Sequence, residues 1–171
     1  MKPRTPLLVE LGLIAYGGGT EGGPDSRTGS PSKLRSGKDG SMIPGAVLRA
    51  LAELHRADRP LVLLAERPDR WAPTRNRVDR ALEGQSRIER EIQRGGGVLD
   101  AVLYLDFGLF SRRRKRREML ADLATRYGTD REGLIAVVGS SRMADAVRDA
   151  VGQVITAEST DDLVRTLAEV G

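Results

Sequence analysis

The sequence contains no cysteine and a single histidine among its 171 residues. The absence of cysteine excludes disulfide bonds, thiolate zinc sites and cysteine nucleophiles. The lone His55 excludes a metal site built from several histidines. Aromatic residues make up only 4% of the chain, so we expect a core of leucine, valine, isoleucine and alanine.

Long apolar runs are also missing. No stretch reaches the length needed to span a membrane, and the N-terminal residues MKPRTP lack the features of a signal peptide. We therefore expect a cytoplasmic protein without a membrane partner. The chain length suits one globular domain over residues 1–171, with 39% hydrophobic and 30% charged residues.

Apolar segments alternate with helical patterns along the chain. The near-continuous apolar run Leu7–Tyr16 predicts a first strand buried on both faces. Further strands are predicted at Pro60–Ala65, Val98–Asp106, Leu134–Val138 and Gln153–Ala157. Helices are predicted at Ala46–Arg56, Pro73–Arg94, Ser111–Tyr127, Met143–Val151 and Asp161–Val170. This alternation indicates an α/β fold with a doubly wound, Rossmann-like parallel sheet.

The segment that follows the first strand, residues 17–42, is rich in glycine and serine and has no periodicity. It predicts a long flexible loop. Ligands bind at the carboxyl ends of strands in such sheets, so Glu10 and the loop after it are expected to mark a site. Gly17, Gly19 and Gly22 match the dinucleotide-binding fingerprint, although no helix start follows them as that fingerprint requires.

The order and spacing of these elements, roughly from Leu7 to Ala157, resemble the haloacid dehalogenase-like (HAD) phosphatase superfamily. The similarity is greatest to the branch that holds heptose bisphosphate, histidinol phosphate and polynucleotide 3′-phosphatases. The resemblance implies that Glu10 occupies the position of the nucleophilic aspartate and Gly12 that of the general acid and base. It implies that Ala65 replaces a phosphate-binding threonine or serine, and that Arg114 or Lys115 fills the place of the catalytic lysine.

The magnesium-binding positions implied by the same resemblance have also lost their acids. Ser140 and Ala144 stand where the family has aspartates, and Asp145 lies one residue past the second of them. Glycine cannot transfer a proton, and magnesium sites of this kind depend on carboxylates. The resemblance therefore implies a degenerate site with no metal, and magnesium only if the protein is a phosphatase.

Two other features suggest binding. Gly139, Ser140 and Ser141 lie between a predicted strand and a predicted helix, where backbone N–H groups favour an anion; a helix cap by Ser140 or Ser141 explains the same residues. Six consecutive cations fit a contact with nucleic acid or an acidic protein, although a solvated helix start explains them too. These residues are Arg112, Arg113, Arg114, Lys115, Arg116 and Arg117.

The sequence thus favours a HAD-like pseudoenzyme that works as a binding or assembly module for nucleic acid or a protein partner, through its basic face and without a cofactor. Two alternatives remain open. One is a phosphohydrolase that acts on a phosphomonoester with Glu10 as its nucleophile. The other is a nucleotide-binding Rossmann-like domain that uses the glycines after the first strand.

Overall fold

A computed structural model describes residues 4–15, 41–67, 75–107 and 113–171. These ranges contain five strands and six helices, named in chain order. The strands are β1 (Leu7–Glu10), β2 (Leu61–Glu66), β3 (Ala101–Leu105), β4 (Ile135–Val138) and β5 (Gln153–Thr156). The helices are α1 (Leu11–Ala15), α2 (Gly45–Arg56), α3 (Arg75–Arg94), α4 (Arg113–Arg126), α5 (Ser141–Val147) and α6 (Thr160–Val170).

All five strands form one parallel sheet in the order β3-β2-β1-β4-β5. The predicted α/β class and parallel sheet are confirmed. The central strand β1 pairs with β2 on one side, where Val9 lies beside Leu63, and with β4 on the other, where Val9 lies beside Val137. The chain builds outward from β1 to β3 and then returns to place β4 against β1. The crevice between the ends of β1 and β4 is therefore the point where the direction of winding reverses.

Helices cover both faces of the sheet, as a doubly wound fold requires. One apolar cluster joins Val9 and Leu63 to α2, α3 and α6 through Leu51, Ile92 and Leu167. A second cluster on the opposite face joins β1, β2 and β4 to α4 and α5. Both clusters consist of aliphatic side chains and methionine, with aromatic rings only at their margins in the described residues, in keeping with the low aromatic content.

The prediction of a single strand over Leu7–Tyr16 is wrong. The strand ends at Glu10, and Leu11–Ala15 forms the short helix α1. Three consecutive residues of this helix are buried, namely Leu13, Ile14 and Ala15, so it shows no alternation of apolar and polar faces. A short buried helix and a buried strand present the same continuous apolar run, and periodicity cannot separate them. The consequence is that Glu10 is the last residue of its strand.

The predicted loop over residues 17–42 lies outside the described residues apart from Ser41 and Met42. Its end is held by Glu91 of α3, whose side chain is 12% exposed. The Glu91 carboxylate accepts hydrogen bonds from Ser41 Oγ at 2.9 Å, from the Met42 N–H at 2.9 Å and from the Ile43 N–H at 3.1 Å. One carboxylate therefore fixes the approach of the chain to α2.

Candidate functional site

Glu10 ends β1 at the crevice beside β4, and its carboxylate is hydrogen-bonded on both oxygens. Oε2 accepts from the backbone N–H groups of Gly139 at 2.7 Å and Ser140 at 3.0 Å. Oε1 accepts from the Ser140 hydroxyl at 2.8 Å. Glu10 and the Gly139-Ser140 pair, which were predicted to belong to the site, are thus brought together across the winding reversal.

The Ser140 hydroxyl has a second role. It accepts a hydrogen bond from the Met143 N–H at 3.1 Å and so caps the N-terminus of α5. Ser141 is the first residue of that helix and is exposed. The hydroxyl therefore joins the helix cap to Glu10, and the anion that the Gly139 and Ser140 donors hold is the protein's own carboxylate.

Gly139 is a glycine because the crevice is tight. A Cβ at this position would lie 2.5 Å from Cδ2 of Leu13 in α1. The backbone at Gly139 can then approach β1 closely enough for its N–H to reach Glu10. The short helix α1 thus contributes to the geometry of the carboxylate site.

The other positions implied by the HAD resemblance hold no catalytic oxygen atoms. Gly12 lies in α1, and Ala65 and Ala144 are buried core residues. Asp145 is exposed and pairs with Arg148 of the same turn, with 3.6 Å between Nη2 and Oδ1. Within the described ranges, no three acidic or histidine side chains come close enough together to hold a metal ion.

The basic segment lies at the start of α4, and three of its cations contact acidic side chains or a backbone carbonyl of the chain. Arg112 lies outside the described residues. Arg113 is 3.8 Å from Asp149, and Arg114 Nε is 2.7 Å from Glu118 Oε1. The hydrogen bond to Glu118 and the negative charge of that carboxylate raise the pKa of Arg114. Arg116 donates to the Asp106 carbonyl at 2.9 Å.

Lys115 and Arg117 are exposed, and the described part of the chain offers neither of them an ion pair. The same segment was predicted to supply a cation to Glu10. Arg114 instead pairs with Glu118 of its own helix, and neither Arg114 nor Lys115 is among the described residues that line the cavity beside Glu10.

A cavity of about 470 Å³ opens beside Glu10, between the ends of β1, β2 and β3 and the middle of α3. Sequence reasoning did not find it. At its rim, Arg142 pairs with Glu66 at 2.9 Å and lies 4.7 Å above the centre of the Phe107 ring. Deeper in the cavity, the Tyr104 hydroxyl donates to Gln85 Oε1 at 2.8 Å. Burial raises the pKa of the Tyr104 hydroxyl above its ordinary value, at which it is already protonated at neutral pH.

The only sequence signal for this cavity is Gly84, a glycine in the interior of a long helix. Glycine lowers helix stability relative to alanine, so its presence there calls for a local reason.

Among the helices of the described ranges, none combines the length and apolarity needed to cross a membrane.

Comparison with solved structures supports the fold. The chain is similar to D,D-heptose 1,7-bisphosphate phosphatase from B. bronchiseptica, solved with magnesium and phosphate. The TM-score is 0.63 at 18% sequence identity, and the match covers 97% of this chain and 99% of that one. A putative HAD family hydrolase from Streptomyces avermitilis MA-4680 matches with a TM-score of 0.48 at 12% identity, over 97% of this chain and 78% of the other. The sequence itself matches no protein-family model and no curated protein. The likeness to the heptose bisphosphate phosphatase confirms the predicted resemblance as a likeness of fold.

Proposed function

We propose that this protein is a non-hydrolysing HAD-like protein that acts as a binding module, with nucleic acid as the partner of its basic face. The observation that carries the first part is the state of Glu10. Both oxygens of its carboxylate accept hydrogen bonds from Gly139 and Ser140. A carboxylate held in this way joins the end of β1 to the turn after β4, and three of its roughly four acceptor sites are taken. An in-line attack on phosphorus would therefore have to break or weaken these hydrogen bonds.

The donor set at this edge does not fit a magnesium ion. Magnesium takes oxygen ligands, usually one or two carboxylates together with substrate phosphates and water. Gly12 and Ala144 offer no side-chain oxygen, and the Ser140 hydroxyl donates a hydrogen bond to Glu10. Among the described residues, the positions that the resemblance assigns to the metal therefore supply one carboxylate, Glu10, already bonded to N–H and O–H donors. No catalytic step through a metal follows from this arrangement.

The activity assay tests the proposal directly. We expect the wild-type protein with magnesium to release no more phosphate than the Glu10→Ala variant, from small phosphomonoesters and from 3′-phosphorylated DNA. Phosphate release is measured colorimetrically, and the Glu158→Ala variant, which removes an exposed carboxylate beyond β5, serves as the matched control. Turnover that Glu158→Ala retains and Glu10→Ala loses would overturn the proposal.

That outcome would favour the second candidate function, a phosphomonoester hydrolase with Glu10 as nucleophile. The likeness of fold to a heptose bisphosphate phosphatase and the position of Glu10 at the end of β1 support this candidate. The third hypothesis, a nucleotide-binding domain, depends on Gly17, Gly19 and Gly22, which lie outside the described residues.

The basic segment of α4 supports nucleic acid as the partner. Arg113, Arg114, Lys115 and Arg117 are exposed within about one helical turn. Cations at a helix N-terminus are opposed by the helix dipole, and a bound anion relieves that opposition. The pairs with Asp149 and Glu118 are exposed, so they cost little to exchange for phosphate contacts.

We expect replacement of Lys115 and Arg117 by alanine to weaken nucleic-acid binding about tenfold. The slope of log affinity against log salt concentration should also fall by about one for each lost phosphate contact. Fluorescence anisotropy with labelled single-stranded and duplex DNA, at several salt concentrations, measures both quantities. A double variant of Arg49→Ala and Arg126→Ala removes the same charge from other exposed positions and should bind like the wild type. Equal loss in the two double variants, or no saturable binding, would refute nucleic acid as the partner and leave an acidic protein as the alternative.

A further inference from the structure

The cavity beside Glu10 has apolar walls. Leu63 and Val102 contribute from the sheet, Leu11 from α1, Ile88 from α3 and Leu99 from the segment before β3. Its volume of about 470 Å³ lies in the range of small-molecule sites. Such walls favour a ligand that brings apolar surface out of water.

Each charge among the described residues that line the cavity is already compensated. Glu66 pairs with Arg142 at 2.9 Å, and the Arg142 guanidinium also lies over the Phe107 ring. Glu10 is balanced by the donors of Gly139 and Ser140. A phosphate ester could reach the Arg142 charge only by separating it from Glu66. The carboxylates of Glu10 and Glu66 would then both face the phosphate, and this repulsion beside apolar walls is unfavourable.

Two further polar side chains that line the cavity, Tyr104 and Gln85, are neutral. The Tyr104 hydroxyl and the Gln85 side-chain amide are joined by a hydrogen bond of 2.8 Å. The tyrosine is protonated at neutral pH, and burial raises its pKa further. The pair therefore offers a ligand a neutral hydrogen-bonding group against apolar walls.

Gly84 gives the cavity its space on the side of α3. Among the described residues, a Cβ built at this position meets no atom within 4 Å, apart from its chain neighbours and the backbone of its own helix. Contacts with the described residues therefore do not require the glycine, and none of them offsets its cost to the helix. A glycine that faces open space is explained if a ligand occupies that space.

We infer that this cavity binds an uncharged, mainly apolar small molecule with one hydrogen-bonding group, and that it discriminates against phosphate esters. The inference rests on the proposed function, because a hydrolase acting here would have to accept a charged phosphate beside Glu10. It goes further by naming the ligand class. Gly84 admits the apolar body of the ligand, and the Tyr104–Gln85 pair meets its polar group.

Two fluorescent probes of one skeleton test the inference. N-phenyl-1-naphthylamine is uncharged, and 1-anilinonaphthalene-8-sulfonate adds a sulfonate to the same rings. We expect the uncharged probe to bind the wild-type protein saturably and at least about tenfold more tightly than the sulfonate. Equal or tighter binding of the sulfonate, or no saturable binding of the uncharged probe, would overturn the inference.

A variant that fills the cavity locates the binding. Gly84→Leu should weaken binding of the uncharged probe about tenfold or more without lowering the melting temperature, because leucine favours the helix and enters open space. Ser86→Leu places the same side chain at an exposed position of α3 and should bind like the wild type. Gly84→Met, with a more adaptable side chain, replaces the leucine variant if that one does not fold.

Wild-type affinity in the folded Gly84 variant would show that the probe binds elsewhere. The titration uses no phosphate substrate, so its failure is separate from the failure of the proposed function. Glu10-dependent phosphate release would contradict the non-hydrolysing role, whereas the probe result alone decides whether the cavity takes an uncharged ligand.

Discussion

Replacement of Glu10 by alanine is expected to lower the free energy of unfolding by about 2 kcal/mol. The substitution leaves the N–H groups of Gly139 and Ser140 and the Ser140 hydroxyl without their acceptor. Hydrogen bonds to a charged group contribute more than neutral ones, but Gly139 is exposed and water replaces part of the loss. Urea unfolding, compared at an unchanged dependence on denaturant, measures the effect.

Matched variants separate the role of Glu10 from a general effect of charge. Glu10→Gln keeps one carbonyl oxygen and should lose about half as much stability, since it retains an acceptor without the charge. Glu158→Ala should stay within about 0.5 kcal/mol of the wild type. In a double-mutant cycle, Glu10→Ala and Ser140→Ala should couple by about 1 kcal/mol, because the two side chains share a hydrogen bond.

The opposite result would have a clear meaning. Functional carboxylates are often held at a cost in stability, and their removal frequently stabilises the protein. A Glu10→Ala variant as stable as the wild type, or more stable, would contradict a structural role for this carboxylate. It would also make the hydrolase alternative more attractive.

Replacement of Glu91 by alanine is expected to cost about 3 kcal/mol, more than the loss at Glu10. Its side chain is 12% exposed and accepts hydrogen bonds from Ser41, Met42 and Ile43. Met42 and Ile43 are themselves buried, so releasing the chain at this point also loosens their packing beneath α2. The loss should be visible in urea unfolding and as a fall in the melting temperature.

Glu83→Ala is the control for Glu91, because Glu83 is an exposed carboxylate on the same helix. It should change stability by no more than about 0.5 kcal/mol. Glu91→Gln keeps the length of the side chain and should lie between the two. If Glu91→Ala behaves like Glu83→Ala, Glu91 does not hold the segment before α2.

The strands of the sheet could be predicted from local sequence, whereas the contacts within the site could not. The strands around Leu63 and Val137 are short apolar runs bounded by turn residues, and their length and β-branched residues favour strands over helices. The order of the strands depends on which faces pack together, and no local pattern contains that information. The sequence places Glu10 and Ser140 130 positions apart, so their contact follows only from the pairing of β1 with β4.

The basic segment shows a similar division. The pair of Arg114 with Glu118 could be inferred from spacing, because residues four apart face each other on a helix. The proximity of Arg113 to Asp149 could not, since it depends on how α4 packs near α5. The cavity is formed by several elements together, so no local pattern predicts it. Gly84 is the one residue whose type indicates it in the sequence.

The contact between Glu10 and Ser140 also affects how well dissolved anions can compete for the N–H groups of Gly139 and Ser140. A carboxylate attached to the chain and already positioned acts as an intramolecular ligand, and its effective concentration exceeds the millimolar level typical of a short flexible linker. Any dissolved anion must displace it to reach the N–H groups of Gly139 and Ser140. Cellular anions at ordinary concentrations are therefore poor competitors, and the crevice between β1 and β4 is selective against them because the protein supplies its own ligand.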